Sequence, residues 1–71
     1  MGLFKELIDE DYIKPNGLTY AELASKIGTT NASLIIDVSN VPISRHLSEK
    51  LGKEFDMPKD YFRVMSILTE N

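Results

Sequence analysis

Residues 17–34 read GLTYAELASKIGTTNASL, and the spacing of caps, small residues and aliphatics in this stretch decides the fold. Thr19-Tyr20-Ala21-Glu22 is a capping box: the Thr19 hydroxyl can accept from the Glu22 amide while the Glu22 carboxylate reaches back to the Thr19 amide. The helix so started runs to Ile27 and buries Leu23, Ala24 and Ile27 at helical spacing. Gly28 supplies a left-handed stop that strains residues with a Cβ. Thr30 caps a further helix from Asn31 to about Val38, with Leu34 and Val38 directed inward. Ala24 lies where the two helices would cross, and only a small side chain permits close approach. Two short capped helices joined by a glycine turn make a helix-turn-helix pattern.

Working outward, LFKELIDEDY predicts a helix over Leu3–Tyr12, with Phe4, Leu7, Ile8 and Tyr12 on one stripe. Pro15-Asn16-Gly17 ends it in a turn. Downstream, Ser39-Asn40 breaks the third helix. Ser44 caps a fourth that runs to about Phe55, where Leu47, Leu51 and Phe55 form an i, i+4, i+8 stripe. Pro58 suits the first turn of a fifth helix, with Tyr61, Phe62, Met65 and Leu68 available for the core. No run alternates like a strand between hairpin turns. The expectation is an all-α, compact bundle of about five short helices in one domain, residues 1–71.

Composition bounds what such a domain can do. Seventy-one residues lie near the lower size limit for independent folding. There is no Cys, so neither disulfides nor thiolate metal sites staple the core. No segment reaches the roughly 20 continuous apolar residues of a membrane span. The opening MGLFKELIDEDY lacks the basic and apolar regions of a secretory signal. A soluble, cytoplasmic protein is expected. The net charge is −3, and no basic stripe appears. Nucleic-acid binding rests largely on Lys and Arg neutralising phosphates, so this balance counts against a strong independent DNA binder.

GLTYAELASKIGTT resembles the helix-turn-helix of the Cro/C1-type (XRE) regulators, and especially the HigA-like antitoxins with their G-[LM]-T-x-A-E-L-A-x-x-[LI]-G pattern. LFKELIDEDYIKP is similar to the family's first helix, and ISRHLSEKLGKEFDMPKDYF to its fourth helix and the start of its fifth. The resemblance covers most of the chain and implies a lambda-repressor-like bundle. It also exposes departures. Where the family often carries Gln after the capping Thr, this chain has Tyr20. Where it offers Ser, Arg, Gln or Thr to base edges, this chain has Asn31, Ala32 and Ser33. Where a polar residue and then Arg are common, it has Ile35 and Ile36, and Asp37 falls where the family buries an aliphatic.

Two readings of ASLIIDVSN, residues 32–40, follow. In one, the loop before Ile43 is a residue short, the register shifts, and Ile36 fills the core place that Asp37 vacates. In the other, Ile35 and Ile36 stay exposed beside Tyr20, Asn31 and Ala32 as an apolar patch suited to a protein interface. Facing phosphates with Asp37 and two isoleucines releases no counterions. Burying one isoleucine against a protein is worth roughly 1.5–3 kcal/mol. The expected partner-binding or DNA-facing residues are therefore Tyr20, Asn31, Ala32, Ser33, Ile35 and Ile36.

The expected role is that of a small transcriptional regulator acting by protein–protein binding. Its partner would be a helix-turn-helix repressor, as in the modulator-of-repression proteins that it resembles in role, or, as a weaker choice, a toxin. The alternative is a direct operator-binding Cro-like repressor or HigA-like antitoxin reading bases with Asn31 and Ser33. His46, the sole histidine, reads as a surface residue without metal partners, and Ser39, Ser44 and Ser48 have no base–orienter pair, so neither enzyme, cofactor nor metal site is expected. Asp9-Glu10-Asp11 reads as a solvated helix end. Val64, Ile67 and Leu68 exceed what one helix stripe needs and could form a homodimer face.

Overall fold

The computed structural model describes residues 2–69 and is all-helical among them. It comprises α1 (Leu3–Ile8), continued without a break by a π-helical segment Asp9–Ile13, then α2 (Tyr20–Ile27), α3 (Asn31–Ser39), α4 (Arg45–Phe55) and α5 (Tyr61–Leu68). α2 packs on α3 and on α4, α1 packs on α3, and α4 packs on α5. The principal extents are 27 × 24 × 22 Å. No helix of the described residues is long and apolar enough to cross a membrane.

The first helix departs from the expected one in a single respect. At 3.6 residues per turn, Ile13 would sit about 140° around the helix from Ile8, away from the core. Widening the last turn, so that the Lys14 amide donates to the Asp9 carbonyl at 2.9 Å, brings Ile13 inward. Phe4, Ile8 and Ile13 are buried, while Leu7 and Tyr12 are half-buried against them.

Local cap chemistry fixes the middle of the chain. The Glu22 amide donates to Thr19 Oγ1 at 3.1 Å, and the Thr19 amide donates to Glu22 Oε1 at 2.9 Å, completing the capping box. α2 ends on Gly28 at φ +80° with both closing bonds of a Schellman turn, Thr29 N–H to the Ala24 carbonyl and Gly28 N–H to the Ser25 carbonyl. Thr30 caps α3 through the Ser33 amide, and Ser44 caps α4 through the Leu47 amide, each at 3.1 Å. Leu23, Ala24, Leu34, Val38, Ile43, Leu51 and Phe62 then meet in one core.

The junction of α4 and α5 closes that core with polar groups. Ser48 is wholly buried; its hydroxyl donates to the Lys59 carbonyl at 2.6 Å and accepts from the Arg63 amide at 3.0 Å. Ser66, also wholly buried, donates to the Arg63 carbonyl at 2.7 Å and accepts from the Ile43 amide at 3.0 Å. Gly52 lets the following loop press onto α4: an added Cβ would lie 2.8 Å from the Met57 carbonyl oxygen and 3.0 Å from that of Pro58. Tyr12, Phe55 and Phe62 form an aromatic triangle with ring centroids 4.9, 5.0 and 6.0 Å apart.

Two expectations at this end are corrected. Pro58 lies in a turn before α5, with the Tyr61 amide donating to its carbonyl at 3.0 Å, so the helix begins at Tyr61. Leu68 is 72% exposed and takes no place in the core, which α5 reaches through Phe62 and Ser66, with Tyr61 and Met65 half-buried.

Candidate interaction surface on the third helix

α3 has one buried row, Leu34 and Val38, both at zero exposure. Every other direction around this short helix is set by that row. Ile36 lies about 160–200° from it and so points almost directly outward. It is 58% exposed, which excludes the register-shift reading in which it fills the core. Asp37 is exposed as well, so it takes no aliphatic core position, and the core closes with Leu34 and Val38 alone from this helix.

Ile35 lies about 100° from Leu34, at the edge between core and solvent. It is half-buried and stays outside the core cluster. Its carbonyl accepts from the Ser39 hydroxyl at 2.8 Å, and α3 runs through Ser39 to its C-cap at Asn40. Asn31, Ala32 and Ser33 are exposed in the first turn of α3. Helical spacing then stacks Asn31 below Ile35, Ala32 below Ile36 and Ser33 below Asp37.

Tyr20 belongs to a different setting. It is half-buried and packs against the core; its hydroxyl donates to the Lys5 carbonyl at 3.4 Å, and Lys5 Nζ lies 4.8 Å from its ring centroid. Burial first, and then the neighbouring Asp9 carboxylate, raises the Tyr20 phenol above its ordinary pKa. The ring is tied to α1. Five of the six expected surface residues thus share α3, and Tyr20 serves the α1–α2 contact.

The electrostatic character of α3 is as distinctive as its apolar content. From Ile27 to Ser44 there is no Lys or Arg, and Asp37 is the one charged side chain. Asp37 also borders a shallow depression of about 150 Å³, together with Thr29, His46 and Lys50. A second depression of about 270 Å³ lies at the α4–α5 end, lined by Arg45, Glu49, Lys59 and Asp60. Each mixes both signs of charge, and among the described residues no group of three His, Cys, Asp or Glu side chains could hold a metal ion. The serines noted beside His46 divide by role: Ser44 caps α4 and Ser48 stitches α4 to α5. Sequence reasoning passed over Ser48, Ser66 and Gly52 as structural residues, since nothing local distinguishes a buried serine from an exposed one.

Comparison of the chain with protein-family models, with curated proteins and with solved structures gave no match.

Proposed function

We propose that this chain is a small regulator that acts by binding another protein through α3, and that the partner is a DNA-binding repressor whose operator occupancy it changes. One observation carries the reading: the outermost side chain of α3 is an isoleucine, on a helix that presents no cation and a single carboxylate. A helix reading DNA gains its affinity from phosphate contacts and its specificity from polar groups on base edges. α3 has no Lys or Arg to neutralise phosphates. An exposed aliphatic on a helix without cations is instead apolar area that a protein partner can cover. The capped α2–turn–α3 pair supports a helix-turn-helix assignment, and occupation of a partner's DNA-reading surface would relieve or redirect repression by direct competition.

The test is a paired binding assay at low salt, using the DNA upstream of this chain's gene and whatever DNA-binding regulator is encoded beside it. The expected outcome is a complex with the repressor and no specific shift of operator DNA by this chain alone. Specific, salt-sensitive operator binding by the isolated chain would overturn the reading in favour of a Cro-like repressor using Asn31 and Ser33. Capture of an adjacent small ribonuclease instead would assign the antitoxin role.

A further inference from the structure

We infer that the surface centred on Ile36 takes a cationic protein partner, a helical face whose apolar stripe is flanked by Arg and Lys, with Asp37 supplying the ionic contact. The inference rests on α3 being a protein-binding helix and adds the chemistry of what covers it.

The argument is one of charge. Residues 1–44, which build α1 to α3, contain three lysines against six carboxylates. All three lysines are already held: Lys5 by Asp9 at 3.4 Å, Lys14 by Glu10, and Lys26 by Glu54 at 3.8 Å. Asp37 is exposed and closes no ion pair among the described residues; His46 and Lys50 share its depression without reaching it. α1, which packs on α3, carries the exposed Glu6, and the π-helical segment that follows it carries the exposed Asp11. An acidic partner would meet Asp37 with no cation on α3 to offset the repulsion. A nucleic acid would meet the same obstacle. A cationic face with an apolar stripe satisfies Ile36 and Asp37 together: the isoleucine provides affinity by burial, and the carboxylate sets orientation and speeds encounter.

The experiment is an NMR titration of the isotope-labelled full chain with two synthetic helical peptides that share one apolar stripe, flanked by Arg and Lys in one and by Glu in the other. A short DNA duplex forms a third arm. The basic peptide should shift the amides of Asn31, Ala32, Ser33, Ile36 and Asp37, with an affinity that falls as salt rises. Ile36→Ser should weaken it roughly tenfold, and Asp37→Asn roughly threefold while flattening the salt dependence. Equal binding of both peptides, binding of neither, shifts centred on α1 or α4, or a response of α3 to the duplex would each overturn the inference. A repressor that binds through Ile36 with no salt dependence would leave the proposed function standing and remove this inference alone.

Discussion

The α4–α5 junction and the outer side of α3 are opposites. At the junction, hydroxyls that favour water are sealed away, and each finds a donor or acceptor: Ser48 joins Lys59 and Arg63, and Ser66 joins Ile43 and Arg63. On α3, an aliphatic side chain that favours burial is left in solvent at 58% exposure. Buried polar groups that are fully paired fix one arrangement of the backbone, since each alternative leaves an unmet donor. An exposed aliphatic on a well-capped helix stabilises nothing within the chain. The junction is explained by the fold alone; the fold gives Ile36 no such role, and the proposed partner would supply one.

Substitutions can break that contrast or sharpen it. The largest effect is expected within α3 itself. Leu34→Ala should cost about 3 kcal/mol in denaturant melts, because Leu34 is wholly buried among the other core side chains. Next comes Ser48→Ala, at about 2 kcal/mol, since it leaves the Arg63 amide and the Lys59 carbonyl without their partner. Ile36→Ser should change stability by less than about 0.5 kcal/mol while weakening partner binding. A melt in which Ile36→Ser costs as much as Leu34→Ala would place Ile36 in the core and erase the contrast.

The smallest effect is a dependence on alkaline pH at the α1 side of the molecule. Tyr12 is pushed up to about 12 by burial and by its neighbour Tyr61, and Tyr20 is raised by burial and Asp9. Folded values above the ordinary 10.0 mean that the folded chain holds these protons more tightly than the unfolded one. The resulting stability is fully present below that value and is lost as pH rises from it through about 12 and beyond. Urea melts taken upward from about pH 8 should show this decline, and Tyr12→Phe and Tyr20→Phe should each flatten it. A slope unchanged in both variants would assign the alkaline loss to other groups.

Much of the fold was legible because its signals are local. Thr19 with Glu22, Thr30, Ser44 and Gly28 each act within one turn of their own position, and each does in the structure what its chemistry suggests. What was not legible depends on residues far apart in the chain. Ile13 enters the core only through a widened turn. Gly52 matters only because the Met57–Pro58 backbone returns to it. Leu68 looked suited to the core by helical spacing, but among the described residues no element covers that side of α5, and it is 72% exposed. The surface on α3 was half legible: its missing cations and its inward row of Leu34 and Val38 are plain in the sequence, whereas the packing was needed to show that no register shift turns Ile36 inward.

The Ile43–Ser66 bond has a consequence for how the chain comes into being. Ile43 opens the stretch leading into α4, yet its buried amide waits for a hydroxyl 23 residues later, and the wholly buried Phe62 lies in the same helix, α5. During synthesis, α2 and α3 therefore emerge with their caps already encoded, but the core beneath them stays open until α5 follows. The helix that carries Ile36 thus rests on a core completed from a distant part of the sequence.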